Sequence, residues 1–178
     1  MQTILVALDG SRPAGKALDI ALDLAKQHKA RVVLFHVLLR NLEPEDLLRL
    51  ADLAEAGPAL ADRLQSLRLA DPKTRTATEV MDNPGGPNRP VPETVLREVA
   101  AFVLKQGRAK AAKRRVRVEV LEPADGPAAQ AIAAAAANAE AEVIVMGSRG
   151  LSQIDSFTFG SVSREVCRLA HCSCIAVH

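Results

Sequence analysis

The chain has no tryptophan and no tyrosine, and only four phenylalanines in 178 residues. Proteins that grip single strands by stacking bases need aromatic faces, so this scarcity argues against a nucleic-acid partner. Cysteine is scarce too. Three residues, an odd number, do not build a disulfide framework, and they fit a reducing compartment. No run of 18 apolar residues occurs, and the N-terminus lacks a basic segment followed by an apolar one, so no membrane span or leader is expected and the predicted location is cytoplasmic. Charge of neither sign dominates: 23 Lys and Arg against 21 Asp and Glu leave a net +2, which selects no class of partner.

Chemical signatures are missing as well. There is no Gly-x4-Gly-Lys-Ser/Thr loop for Walker-type phosphoryl transfer. His28, His36, His171 and His178 have no paired context that would make a Ser/His/acid trio. His-x-Gly-His and Ser-Gly-Gly-x-Asp, which would point to nucleotidyl transfer, are absent. His171-Cys172-Ser173-Cys174 places two thiols on one face of a strand. A zinc site needs about four ligands, however, and no second Cys/His cluster follows, so the plainer reading is small buried thiols.

What is present is a chain rich in apolar residues, 48%, and long enough for a substantial core; it is read as one domain over 1–178. The most informative stretch is Gly147-Ser148-Arg149-Gly150, nine residues, then Gly160-Ser161-Val162-Ser163, directly after the apolar run Val143-Ile144-Val145-Met146. It reads as a strand that ends in a glycine loop and opens a helix. Such a junction gathers free backbone N–H groups and the positive end of a helix dipole, which suits a phosphate. Glycine lets the backbone approach an anion with no Cβ in the way.

At the other end, Thr3 to Leu8 is a short aliphatic and β-branched run, Asp9-Gly10-Ser11 is a turn, and Ala17, Leu18, Ala21, Leu22, Leu24 and Ala25 repeat with helical spacing. A second buried-strand run, Arg31 to Val37, follows. Strand, helix, strand in so short a span predicts a parallel sheet covered on both faces. Ligands of such sheets bind beyond the carboxyl ends of the strands, where Asp9 and Gly147 both fall.

These pieces resemble the universal stress protein family: Ile4-Leu5-Val6-Ala7-Leu8-Asp9-Gly10-Ser11, Leu34-Phe35-His36-Val37, and Val143 through Ser163. The resemblance covers about residues 1–38 and 115–178. In that family Gly-x2-Gly-x9-Gly-Ser/Thr marks the members that bind ATP, and the pattern is met here without a gap. The resemblance implies a flavodoxin-like, Rossmann-like three-layer α/β sandwich with a five-stranded parallel sheet of order 3-2-1-4-5, an arrangement that makes the first and fourth strands neighbours. It implies adenine against Ala7, Val37 and the backbone near Met146, and Asp9 near the adenosine or a metal-bound water. It implies Gly147 and Gly150 under the ribose and phosphates, with Gly160, Ser161, Val162 and Ser163 presenting N–H groups and hydroxyls. ATP, with Mg, is the implied cofactor, and a homodimer through the last strand, Ser173 to Val177, the implied assembly. From the residues alone, Ser161 and Ser163 also suit helix capping, Asp9 suits a plain turn, and Ser148 and Arg149 either reach the phosphates or face solvent.

The middle of the chain departs from the family. Leu42 to Ala70 reads as an additional helix, interrupted at Gly57-Pro58, and Pro72 to Pro92 carries five prolines and two glycines that forbid a long regular element, with a short extended piece at Thr74 to Val80. This insertion, about 42–92, leaves the ligand end of the sheet and suits a lid, an arm for a protein client around 72–92, or a passive elaboration. Pro92 to Ala112 is predicted as an amphipathic helix ending in a basic cluster, Val116 to Leu121 as a strand, and Asp125 as the cap of an alanine-rich helix with Pro127 in its first turn. Two functions follow: a homodimeric regulatory module switched by an adenine nucleotide, with at most slow ATP hydrolysis, or a nucleotide-free dimeric interaction protein that keeps the glycine loop as architecture.

Overall fold

The computed structural model describes residues 2–50, 58–69, 81, 91–151 and 160–178. Five parallel strands run β1 (Thr3–Ala7), β2 (Arg31–Phe35), β3 (Val118–Val120), β4 (Val143–Gly147) and β5 (Ser173–Val177). Their order across the sheet is β3-β2-β1-β4-β5. β1 pairs with β2 from Thr3 opposite Arg31 to Ala7 opposite Phe35. On its other side Ala7 faces Met146 of β4. The first and fourth strands are therefore neighbours, and their carboxyl ends leave the sheet side by side at the reversal of strand order.

The central strands β1, β2 and β4 read as near-continuous apolar runs because both faces are covered. On one face α1 (Arg12–His28) and α4 (Glu93–Lys113) seal a core that includes Val6, Leu18, Leu22, Leu34, Val99 and Val145. On the other, α5 (Ala128–Asn138) and α6 (Ser161–Leu169) cover Leu5, Val33, Phe35, Ile144 and Met146. Successive residues of one strand alternate between the two cores, as the pleat requires. The small side chains of α5 bring it close to the sheet, with Ala129, Ile132, Ala135 and Ala136 buried.

The described parts of the insertion belong to the fold. The sequence predicts one interrupted helix over 42–70; the structure has α2 (Pro44–Leu47) and, beginning at Pro58, α3 (Pro58–Leu69). Pro58 stands at the first described position of α3, where proline costs no hydrogen bond. Leu47, Leu50, Leu60 and Leu64 are buried in the same core as α1 and α4, so this part is no passive surface elaboration. The short extended piece expected at Thr74 to Val80, and nearly all of the proposed client arm at 72–92, lie outside the described residues.

Two other expectations change. The strand predicted over Val116 to Leu121 is three residues long. Asp125 does not cap α5: Pro127 sits at the cap position with no side-chain bond, because the Asp125 carboxylate is taken by Arg40. The basic end of α4 is partly spent on α1, with Lys110 bonded to Asp19 at 2.7 Å and to the Gly15 carbonyl at 2.8 Å and Arg114 bonded to Asp23. Among the described residues no helix is long and apolar enough to cross a membrane.

Candidate functional site

A cavity of about 740 Å³ opens at the carboxyl ends of β1, β2 and β4, a size usual for a small-molecule site. Ala7, Asp9, Val37, Met146, Gly147, Gly150, Gly160, Ser161, Val162 and Ser163 all line it. The two sequence motifs, more than 130 residues apart in the chain, thus meet on one surface. Sequence reasoning missed Leu38 to Leu42, Gly126, Pro127, Ile132, Leu151 and Arg164, which also line the cavity. Ile132 has helical periodicity as a signal; Arg40 has none, because nothing local marks the loop after a strand as a wall.

One end of the cavity is apolar, walled by Ala7, Phe35, Val37, Ile132 and Met146, and the other holds the glycine loop and the start of α6. The first turn of α6 closes with the Arg164 N–H on the Gly160 carbonyl at 3.1 Å. That leaves the N–H groups of Ser161, Val162 and Ser163 at the open end of the helix, where its dipole is positive. Arg149 and Arg164 line this end, and Asp9 is the one acidic residue on the wall among the described residues.

The first turn and the glycine loop are tied together by traceable contacts. Ser11 caps α1 by accepting the Ala14 N–H at 3.2 Å, and its hydroxyl donates to the Arg149 carbonyl at 3.5 Å, tying the first turn to the glycine loop. Asp9 Oδ1 accepts the Ser11 N–H at 2.9 Å. Desolvation raises the Asp9 pKa against the lowering effect of those Ser11 bonds. A Cβ at Gly150 would lie 2.9 Å from Asp9 Oδ2, so that glycine is what lets the carboxylate and the loop approach each other. At Gly160 a Cβ would meet the Ser148 carbonyl at 2.9 Å, the same oxygen that accepts the Gly160 N–H at 2.7 Å.

The two serines of α6 separate. Ser163 is buried and its hydroxyl is committed to the Ser148 and Gly160 carbonyls, both at 3.0 Å. A hydroxyl has one proton, so Ser163 can offer a ligand its N–H but not its O–H. Ser161 is exposed, and its hydroxyl bonds to no described residue. Ser148, left open by the sequence, is turned inward onto His178 at 2.9 Å.

His36 lies behind the cavity wall, 1% exposed. Its Nδ1–H donates to the Leu8 carbonyl at 2.8 Å, which fixes the neutral tautomer, and burial lowers its pKa to about 4. It holds the end of β1 and is no candidate base. Cys172 and Cys174 pack half-buried against the second core, where desolvation pushes both thiols up. No trio of His, Cys, Asp or Glu among the described residues is disposed to hold a metal.

The model of the universal stress protein family matches residues 1–178. The chain belongs to that family. Universal stress protein YxiE of Bacillus subtilis is 29% identical over 181 residues, spanning 98% of this chain and 97% of its own. Among solved structures, universal stress protein UspA from Lactobacillus plantarum matches with a TM-score of 0.61 at 20% identity, covering 99% of this chain and 97% of that one. The universal stress protein from Archaeoglobus fulgidus, solved in complex with dAMP, matches with a TM-score of 0.59 at 18% identity, covering 100% of this chain and 98% of that one.

Proposed function

We propose that this universal stress protein binds an adenine nucleotide, ATP in the first instance, in the cavity at the ends of β1, β2 and β4. The observation that carries the reading is the polarity of the cavity: aliphatic walls at one end, and at the other the open first turn of α6 beside Arg149 and Arg164. With no Trp or Tyr in the chain, the base is held by Ala7, Val37 and Met146 and by backbone groups. The phosphates rest on the N–H groups of Ser161, Val162 and Ser163 and on the Ser161 hydroxyl, above Gly147, Gly150 and Gly160. The dAMP complex of the Archaeoglobus relative supports the ligand class.

Asp9 is a single carboxylate whose charge is disfavoured by burial, so it would hold a water of a magnesium ion brought in with the phosphates and does not build a metal site by itself. Occupancy acts as a regulatory signal read by a homodimer formed along the edge strand β5, where Cys174, Ile175, Ala176 and Val177 are partly exposed.

Calorimetric titration of the full chain with AMP, ADP and ATP, with and without magnesium, tests this. One site per chain is expected. Ser161→Ala removes a hydroxyl that no described residue bonds, and one charge-assisted hydrogen bond is worth about tenfold in affinity; the loss is expected for the nucleotides and not for adenosine. Equal binding by the variant would place the phosphates elsewhere. The second reading, a nucleotide-free interaction protein, is favoured by one observation: Gly147, Gly150 and Gly160 are each crowded by protein atoms within 3 Å of where a Cβ would stand, so packing alone accounts for them. No binding by the wild type would establish it.

A further inference from the structure

We propose that Arg40 is a positioning residue that clamps the base end of this cavity shut, an inference that rests on the adenine-nucleotide reading above. Arg40 donates from Nε to Asp125 Oδ1 at 2.5 Å and from Nη2 to Asp125 Oδ2 at 2.6 Å, a bidentate pair. The same Nη2 donates to Glu93 Oε2 at 2.9 Å, and the other oxygen of Glu93 accepts from Arg97 at 2.9 Å. Three segments that are distant in sequence meet at this guanidinium: the start of the insertion, the helix α4 that ends it, and the turn before α5.

The position gives the cluster a role that its surface location alone would not. Arg40 to Leu42 form one lip of the cavity and Gly126 to Ala128 another. Behind them the two segments are already joined as far as the Val37 to Ala124 bridge and the bond from Leu38 N–H to the Ala124 carbonyl at 2.8 Å. Arg40 and Asp125 continue that seam by one step, at the place where the cavity would otherwise gape beside Val37. Gly126, at φ +100, supplies the left-handed turn that points Asp125 back at Arg40, a conformation side chains other than glycine rarely adopt. The two carboxylates are held below their usual range by Arg40 itself.

The charge balance decides between two uses of Arg40. Two carboxylates face it, so its charge is spent on the rim, while Arg149 and Arg164 stand at the phosphate end. Arg40 therefore shapes the wall around the base and does not bind phosphate. Isolated exposed ion pairs contribute little to global stability, but a rim that is closed in only a tenth of the molecules weakens binding about tenfold.

The test is titration of the full-length protein with ATP, AMP, adenosine and inorganic tripolyphosphate. Arg40→Ala is expected to weaken ATP, AMP and adenosine by the same factor, about tenfold, and to leave tripolyphosphate and the melting temperature close to wild type. Asp125→Asn is expected to match it, the double variant to be no worse than either, and Arg40→Lys, which cannot make the bidentate pair, to recover only part. Arg63→Ala, which breaks the pair with Glu98 between α3 and α4, is the control and is expected to change none of these. Unchanged adenosine affinity in Arg40→Ala, or a loss that grows with phosphate number, overturns the clamp while the site stands. A wild type that binds none of the adenine ligands overturns the site reading and the clamp with it.

Discussion

At the scale of single residues, what decides each role is where the one proton or one lone pair goes. Ser161 and Ser163 are indistinguishable in the motif, yet one hydroxyl bonds to no described residue and the other is spent on the Ser148 and Gly160 carbonyls. That difference lies in the turn geometry that brings residue 148 over the start of α6, which no spacing rule carries. It also makes Ser161 the informative substitution: a side chain at Gly160 would strike the Ser148 carbonyl, so loss of binding there would not separate ligand contact from packing. His36 supplies a pH prediction. Its folded pKa of about 4 lies below the ordinary histidine value of 6.5, so the native state resists the proton that the unfolded chain takes up. Stability is therefore full above pH 6.5 and is lost as pH falls toward 4, by on the order of 3 kcal/mol if this group acts alone. Urea unfolding across that window is expected to show the slope in the wild type and to lose most of it in His36→Asn, whose amide can keep the bond to the Leu8 carbonyl. A slope unchanged in the variant would mean that other groups carry it.

At the scale of elements, the strands and helices that carry local pattern were legible: β1, α1, β2, α4 and β4 lie where the apolar periodicities place them. The glycine motif was legible because it is contiguous. The lips of the cavity were not, since Leu38 to Leu42 and Gly126 to Ala128 have no periodicity and are brought together only by pairing along β2 and β3. Asp125 shows the limit of local rules: it satisfies the preference for a helix cap, but a guanidinium within reach outcompetes the open turn of α5. What covers the helices of the insertion was not legible for a related reason, because amphipathic spacing shows that a helix has a buried face without showing what lies against it. Leu64 is fully buried beside Leu60 in the core shared with α1 and α4. Leu64→Ala is expected to cost about 2–5 kcal/mol in chemical denaturation. A cost under about 1 kcal/mol, the value for a site that leaves water little changed, would mean that the insertion is a lid resting on the domain and not part of its core.

At the scale of the whole molecule, the order β3-β2-β1-β4-β5 does two things at once. It places the ends of β1 and β4 together under the cavity, and it leaves β3 and β5 as edges. β3 is short, whereas β5 offers five residues without a charge, the kind of edge that pairs with another chain unless something blocks it. The proposed homodimer is tested by Ala176→Lys, at a partly exposed position of β5 outside both cores, which is expected to shift the sedimentation profile from dimer to monomer while the far-ultraviolet circular dichroism stays the same; a wild type that already sediments as a monomer would remove the dimer from the account. The central claim concerns the cavity itself. Its most direct test is a nuclear magnetic resonance titration of the labelled protein with AMP and ATP, following the amides of Gly147, Gly150, Ser161, Val162 and Ser163 together with the methyl groups of Val37 and Met146. The account predicts that both sets shift on one saturation curve, with the amides of α6 moving more for ATP. Shifts confined to other surfaces, or none at all, would contradict it.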